Sequence, residues 1–158
     1  MIKIVSGAQT GVDRAALDAA LALGVPAGGW VPEGRKAEDG VIPAHYPVRE
    51  LPGAGYRQRT RQNVIDSDAT LIIYYDELSG GTQATLRDCL HHKKPYCLID
   101  ACEIDVAHAA QKTLGFIRRY SVEVLNVAGP RASGNGRAYD YCKQVLIELL
   151  TLLQAEKN

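Results

Sequence analysis

The chain opens with a short apolar run, a glycine loop and an alanine-rich helix, and this order limits the possible folds more than any other part of the sequence. Ile2–Val5 has β-forming side chains, Ser6–Gly11 contains two glycines, and Asp13–Leu23 is apolar on nearly all sides and stops at Gly24. A strand, a glycine loop and a helix in this order form the first turn of a Rossmann-like domain. Such a turn directs backbone N–H groups and the positive end of a helix dipole at one point, which favours phosphate or another anion.

The alternation of β-rich and helical runs continues along the chain. Further β-rich runs lie around Ala27–Trp30 and at Val48–Leu51, Thr70–Tyr75, Tyr96–Ile99 and Val122–Val127. Helical patterns lie at Tyr56–Asp66, Thr82–His92, Asp105–Arg119 and Ala138–Gln154. We therefore predict an α/β fold, a three-layer, doubly wound, Rossmann-like domain with a mostly parallel sheet. Residues 1–158 contain no repeat, linker or low-complexity segment, and we expect a single ligand-binding domain.

Composition and charge narrow the function classes. The formal net charge is zero, from 18 basic and 18 acidic side chains, so no overall field attracts nucleic acid or a membrane. No apolar stretch reaches transmembrane length, and the N-terminus has no signal-peptide pattern. The four cysteines form no C-x-x-C pair and are typical of reduced thiols in a cytoplasmic protein. His91 and His92 have no third ligand at metal-site spacing, so we predict no metal site.

Three polar, glycine-rich loops are predicted to share one edge of the sheet, because the carboxyl ends of parallel strands point the same way. They are Ser6–Asp13, Ser79–Thr82 and Gly129–Arg137, and each leads into a helix. Backbone N–H groups at such joints bind anions. A structural alternative exists for each loop: Thr10 and Asp13 have the spacing of a capping box, and Gly80 and Gly81 are typical of a tight turn.

The loops lack the common nucleotide motifs. The sequence has no G-x-x-x-x-G-K-[ST] motif, which argues against a P-loop NTPase. The first loop has glycines at Gly7 and Gly11 instead of G-x-G-x-x-G. The second β-rich run ends at Gly28-Gly29-Trp30, where an NAD enzyme needs a carboxylate for the ribose. A dinucleotide cofactor is therefore disfavoured.

The connection between Trp30 and Pro47 contains prolines, glycines and charges, and no regular helix fits it. An unstructured connection of this length is usually a lid or binding loop, and otherwise a surface loop. Trp30 offers a flat face that could stack on a heteroaromatic ring, although a lone tryptophan is also typical of a core. Glu38 and Asp39 could accept hydrogen bonds from an amino-substituted ring such as a pterin, or lie in solvent.

The predicted helix Tyr56–Asp66 is unusually polar. Thr60 and Asn63 share one face, which suits the wall of a wet cleft. Its three arginines, Arg57, Arg59 and Arg61, suit a phosphate or oxyanion, or are simply solvated.

The motifs as a set resemble the molybdenum cofactor carrier family. The resemblance covers nearly the whole chain and rests on Ser6–Asp18, Gly29–Arg35, Ala37–Gly40, Arg59–Thr60, Asn63–Val64, Asp66–Leu71, Gly80–Thr82 and Asn126–Arg131. It implies a fold related to the lysine-decarboxylase-like nucleotide-binding proteins and a homo-oligomer, either a dimer or a tetramer. It also implies non-catalytic binding of molybdenum cofactor as cargo: a pterin with a phosphate and a dithiolene-held, oxygen-bearing metal, destined for molybdoenzymes.

The residues from the loops and from the resemblance form one predicted ligand-binding set, with no catalytic residue. It comprises Ser6, Gly7, Gln9, Thr10, Gly11, Asp13, Arg14, Trp30, Glu38, Asp39, Thr60, Asn63, Gly80, Gly81, Thr82, Gly129, Pro130 and Arg131. The chain departs from the family pattern at Ala8, where glycine is common, and at Val31, where cysteine is common. Val31 removes a possible sulfur contact.

An enzymatic alternative comes from the wider superfamily, which contains hydrolases that cut nucleoside monophosphates to base and ribose phosphate. Those enzymes place a glutamate shortly after a glycine-rich turn, whereas here Gly80–Thr82 is followed by Gln83, Ala84 and Thr85. Such a nucleotide N-glycosidase would need its carboxylate from Glu38 or Asp39. A DNA-handling Rossmann module is a third alternative, and the zero net charge argues against it.

Overall fold

A computed structural model of the chain describes residues 1–157 and has nine strands and five helices in that range. The strands are β1 Lys3–Val5, β2 Ala27–Gly28, β3 Trp30–Pro32, β4 Lys36–Ala37, β5 Gly40–Val41, β6 Arg49–Leu51, β7 Ala69–Tyr74, β8 Tyr96–Asp100 and β9 Val124–Ala128. The helices are α1 Val12–Ala22, α2 Tyr56–Ile65, α3 Gly80–His91, α4 Val106–Tyr120 and α5 Ala138–Ala155. None of these helices combines the length and apolar composition that crossing a membrane requires.

The central sheet has five parallel strands in the order β2-β1-β9-β7-β8. Helices α1, α4 and α5 pack together on one face, and α2 and α3 pack together on the other. The predicted three-layer, doubly wound, Rossmann-like fold is therefore confirmed. The strand order reverses at the centre, since the chain runs outward from β1 to β2 and from β7 to β8.

Strand β7 shows how the sequence produces this core. Side chains alternate between the two faces of a strand, so Leu71 and Ile73 pack in the large cluster under α1, α4 and α5. Ile72 faces the other way and packs with Val64 of α2 and Cys89 of α3. A run that is buried on both faces has to be continuously apolar, as this one is.

The second β-rich run was predicted as one strand, and the structure divides it at Gly29. The φ of Gly29 is +129°, and a Cβ at this position would lie 2.1 Å from the carbonyl oxygen of Ser6. Strand β2 stays in the central sheet, whereas β3 leaves it and pairs with β6 in a separate two-stranded parallel sheet. The prediction of one continuous strand around Ala27–Trp30 is therefore wrong. The chain changes direction at Gly29, in a conformation that only glycine permits there.

The prediction of an unstructured connection between Trp30 and Pro47 is also wrong. Residues 33–47 contain the β4–β5 hairpin and form a small core with neighbouring elements. Ile42 and Tyr46 are buried in it against Leu17 of α1 and Val31 of β3. Arg35 donates hydrogen bonds to the carbonyl oxygens of Ile42 (3.1 Å) and Pro43 (2.7 Å) and fixes the turn from inside. These few apolar side chains are too widely spaced to give a periodic signal.

Candidate ligand-binding cleft

A cleft of about 440 Å³ lies at the carboxyl edge of the central sheet. It is lined by the loops after β1, β7 and β9 and by one side of α2. The prediction that the three glycine-rich loops share one edge is therefore confirmed. The predicted site residues in its wall are Gln9, Asp13, Thr60, Gly80, Gly81, Thr82, Gly129, Pro130 and Arg131.

Helix α3 directs its amino-terminal end at the cleft. Ser79 is its N-cap in an extended conformation, and the Ser79 side chain makes no capping hydrogen bond. Gly80, Gly81 and Thr82 follow in the cleft wall. The first N–H groups of a helix have no partner within the helix, so here they are available to an anion.

Gln9 presents a buried donor that has no acceptor. Its Oε1 accepts the backbone N–H groups of Thr10 (3.1 Å) and Glu38 (2.9 Å), which fixes that end of the amide as the oxygen. Its Nε2 is buried and has no hydrogen-bond partner. The residue is only 6% exposed and lines the cleft. A buried unpaired donor is costly, so this amide is suited to an acceptor supplied from outside the chain.

A buried arginine lies beneath the first loop. Arg59 is 6% exposed, and its Nη1 donates to the carbonyl oxygen of Gly7. A Cβ at Gly7 would lie 2.5 Å from the guanidinium carbon, so only glycine leaves room for this contact. Burial lowers the pKa of Arg59, but a guanidinium stays charged in proteins. The first loop therefore has a fixed positive charge under it.

Asp13 is a partly buried acid in the wall of the cleft. Its Oδ2 accepts the backbone N–H of Gln9 at 3.2 Å. Burial raises the pKa of Asp13 to about 6, while the positive charges of Arg59 and Arg131 act in the opposite direction. Asp13 thus changes its charge close to neutral pH, at the wall of the cleft.

Tyr56 was not predicted as a site residue, yet it organises the charges of the cleft. The guanidinium carbons of Arg59 and Arg131 lie 5.5 Å and 5.8 Å from its ring centroid. Cation–π attraction at these distances holds both arginines near the cleft. Tyr56 begins the arginine-rich helix α2, and an aromatic residue in that position was the only sequence signal.

Glu77 also lines the cleft and was not predicted, and Ser133 and Asn135 line it within the predicted loop Gly129–Arg137 without having been predicted individually. They lie in the loops after β7 and β9, and their types give no motif. Their position at the carboxyl ends of the strands was the available signal.

The capping box that was considered for Thr10 and Asp13 is not formed. The N-cap of α1 is Gly11, with φ +81° and no side-chain capping bond. The Thr10 hydroxyl instead accepts the Ala132 N–H at 3.1 Å and donates to Glu38. A Cβ at Gly11 would lie 2.3 Å from the carbonyl oxygen of Pro130, so the loops after β1 and β9 touch here.

Trp30 and Asn63 lie outside the cleft wall and connect α2 to β3. The Asn63 amide accepts the backbone N–H of Trp30 (2.8 Å) and donates to its carbonyl oxygen (3.0 Å). The indole Nε1 of Trp30 donates to Asp66 at 2.8 Å. Both residues have partners within the chain.

Glu38, Asp39 and Arg14 also have partners within the chain and do not line the cleft. Asp39 forms a two-fold hydrogen-bonded ion pair with Arg14, at 2.5 and 2.7 Å. The Glu38 carboxylate accepts from the hydroxyls of Thr10 and Ser133 and from the Ser133 N–H. These bonds lower the pKa values of Glu38 and Asp39 and tie residues 33–47 to the loops around the cleft.

Ser6 was predicted to bind the ligand but does not line the cleft. It is fully buried, and its hydroxyl donates to the carbonyl oxygen of Asp13 at 2.8 Å. Its role visible in the structure is to shape the first loop. In residues 1–157, no group of three or more His, Cys, Asp or Glu side chains is placed to hold a metal ion.

The model of the circularly permutated YpsA SLOG family matches residues 4–150. The chain belongs to this family. Its structure is also similar to the crystal structure of a protein from Syntrophus aciditrophicus SB that is described as a "Putative molybdenum carrier protein". The two share 43% sequence identity over 95% of each chain, with a TM-score of 0.92. Comparison with the curated proteins gives no match. The family resemblance drawn from the motifs is therefore confirmed.

The two positions at which this SLOG family member departs from the pattern expected for carriers have different surroundings in the structure. Ala8 has φ +55°, in the left-handed region that glycine adopts without strain. Val31 is fully buried in the small core, so a thiol at this position would not lie in the cleft wall.

Proposed function

We propose that this chain binds and carries a phosphorylated heterocycle without transforming it, and that this cargo is molybdenum cofactor. The observation that carries the proposal is the buried Nε2 of Gln9, which has no acceptor in a cleft of about 440 Å³. Cavities of about 300–1,000 Å³ are typical of small-molecule sites. The description of the Syntrophus aciditrophicus protein as a molybdenum carrier supports the choice of cargo.

The two ends of such a ligand have different partners in the cleft. The phosphate suits the free N–H groups at the start of α3, with the charges of Arg59 and Arg131 nearby. The heterocycle suits the Gln9 amide, because a ring carbonyl would accept its N–H. Trp30, Glu38 and Asp39, which were predicted to hold the ring, have partners elsewhere and take no part in this proposal.

The test is purification of the native protein followed by mass spectrometry of the bound molecule and measurement of its molybdenum content. Gln9→Glu keeps an oxygen for the Thr10 and Glu38 N–H groups but removes the free donor, and Thr82→Val removes a hydroxyl without loss of volume. We expect each to lower ligand affinity about tenfold, the usual effect of one lost hydrogen bond to a charged or buried group.

Asp39→Asn is the matched control, because Asp39 lies outside the cleft wall. It should retain the bound molecule at the level of the unchanged protein. Equal occupancy in all three variants, or a bound molecule that lacks both a phosphate and a heterocycle, would contradict the proposal.

The nucleotide N-glycosidase remains the second candidate, and the pKa of Asp13 favours it. A carboxyl with a pKa of about 6 can exchange a proton at neutral pH, and Glu77 supplies a second carboxylate in the cleft. Incubation with a panel of nucleoside monophosphates tests this. Release of base that disappears in Asp13→Asn or Glu77→Gln would favour the enzyme, whereas the carrier releases none.

We also infer that residues 1–158 form one domain of a cytoplasmic homo-oligomer, a dimer or tetramer, that delivers its cargo to molybdoenzymes. The four free cysteines support a reducing compartment, and the core shared by α1 and α5 supports one domain. Light scattering of the purified protein tests the oligomer. Transfer of molybdenum to an apo-molybdoenzyme tests the delivery, and Gln9→Glu should transfer less molybdenum than the unchanged protein.

A further inference from the structure

A second cavity of about 430 Å³ lies between α2 and α3 and shares no lining residue with the ligand-binding cleft. Its wall carries three arginines, two histidines and one carboxylate: Arg57, Arg61, Arg87, His91, His92 and Asp88. The chain as a whole has zero formal net charge, so this concentration of positive charge is local and does not reflect a basic protein.

The carboxylate in this cavity is already used. Asp88 is 4% exposed and accepts two hydrogen bonds from Arg57, at 2.6 and 2.8 Å. The Nε of Arg61 is 3.9 Å from Asp88, which is too long for a hydrogen bond. Arg87 makes no hydrogen bond or ion pair with the described part of the chain, residues 1–157. Arg61 therefore has only this long ion pair, and Arg87 is left without an anionic partner in residues 1–157.

The spacing of these charges is unfavourable without an anion. Arg57 and Arg61 are four residues apart on α2, and Arg87 of α3 lines the same cavity. Like charges at this spacing destabilise a helix, and the two helices pack against each other here. The Nε2 of His92, in the same wall, is also buried without a hydrogen-bond partner. The same condition was found in residues 1–157 only for Gln9, in the ligand-binding cleft.

We propose that the cavity between α2 and α3 is a second anion site, which binds a phosphate group of a small molecule independently of the ligand-binding cleft. Guanidinium groups bind phosphate through paired N–H donors, and two of them match a group that carries two or more negative charges. The buried Asp88 fixes the Arg57 side chain and thereby one wall of the site. The proposal does not depend on the identity of the cargo in the cleft.

The experiment is calorimetric titration with pyrophosphate at low ionic strength. We expect two sites for each chain. The double variant Arg61→Gln/Arg87→Gln should weaken one of them by about tenfold or more, because each substitution removes charge-assisted hydrogen bonds. Arg131→Gln should weaken only the other site, in the cleft.

Two controls make the result decisive. Arg118→Gln/Arg119→Gln removes the same charge from α4, on the opposite face of the sheet, and should leave both sites unchanged. Arg61→Lys/Arg87→Lys keeps the charge but loses the paired donors, so it should weaken the site less than the glutamine variant while preserving the fold.

Three outcomes would overturn the proposal. The first is a single pyrophosphate site that only Arg131→Gln removes. The second is a site between α2 and α3 with a dissociation constant above about 1 mM, which would indicate an adventitious ion only. The third is a glutamine variant that changes the oligomeric state and not the binding of pyrophosphate, which would make this face an interface between copies of the chain.

Discussion

The cleft and residues 33–47 contain similar polar side chains, but they use them in opposite ways. In residues 33–47, Asp39 is paired with Arg14, and Glu38 accepts hydrogen bonds from both neighbouring loops. In the cleft, Gln9 Nε2 has no acceptor and α3 has no side-chain cap. Residue type alone therefore does not identify a binding residue. A polar group in a cavity that lacks a hydrogen-bond partner is a better indicator, because a ligand can supply the missing partner.

The largest expected effect is at Gly29, where the chain leaves the central sheet for the outer region. Gly29→Ala should lower the free energy of unfolding by about 3 kcal/mol or more, because its Cβ would lie 2.1 Å from the Ser6 carbonyl oxygen and cannot move away from backbone. Gly24→Ala is the matched control: Gly24 has φ +67° but open space around it, so about 1–2 kcal/mol is expected. Equal losses of unfolding free energy for the two variants, measured by urea unfolding, would show that the close contact at Gly29 does not hold the outer region to the central sheet.

The next largest effect is expected at Arg59, which supports both the stability of the first loop and ligand binding in the cleft. Arg59→Met leaves the Gly7 carbonyl oxygen unpaired and removes the charge under the first loop. It should cost about 2–3 kcal/mol of stability and also abolish measurable ligand binding. Thr82→Val, in contrast, should lower binding with a melting temperature within a few degrees. If Arg59→Met binds normally, the buried charge has only a structural function.

The pH dependence of stability separates Asp13 from Asp39. Burial raises the pKa of Asp13 from 3.8 to about 6, so between these pH values the folded protein binds a proton that the unfolded chain does not. The contribution of Asp13 to the free energy of unfolding therefore falls as pH rises through this interval, and is constant above it. Asp13→Asn should remove this slope in denaturant unfolding. Parallel curves for the variant and the unchanged protein would show that Asp13 is not buried as an acid.

Asp39 should behave in the opposite sense and more weakly. Its pKa is lowered by Arg14, so its stabilising effect is present at neutral pH and is lost as pH falls below the ordinary value of about 4. Because its side chain is 48% exposed, Asp39→Asn should cost only about 0.5 kcal/mol. A loss of ligand affinity in this variant would place residues 33–47 in the binding site after all.

The smallest expected effect is on Trp30 fluorescence. The indole is bonded to Asp66 and does not line the cleft, so titration with a pterin phosphate should leave its emission nearly unchanged. Fluorescence titration of the ligand itself provides the positive control. A large change in tryptophan emission would show that binding rearranges the contact between β3 and α2.

The sequence predicted the central sheet and the convergence of three loops, because both follow from local periodicity and the direction of parallel strands. It did not predict the contacts of Glu38 and Asp39, whose partners Thr10 and Arg14 lie 28 and 25 residues away. Residue type cannot indicate such distant pairing. The break at Gly29 was not predicted, because the apolar run around Ala27–Trp30 continues across it and a glycine is compatible with either conformation. The free donor of Gln9 depends on two bonds to its other amide atom, which only the structure reveals.

The first strand and helix of the chain lie beside its last strand and helix. Strand β1 lies beside β9, α1 packs against α5, and Gln154 donates a hydrogen bond to the Leu23 carbonyl oxygen. Elements that are far apart in chain order therefore share one buried layer, and the packing of that layer does not depend on the order in which the connections join its members. Circular permutation, which the family's name describes, is a change of this kind, because it alters connections between elements and not the contacts within the layer.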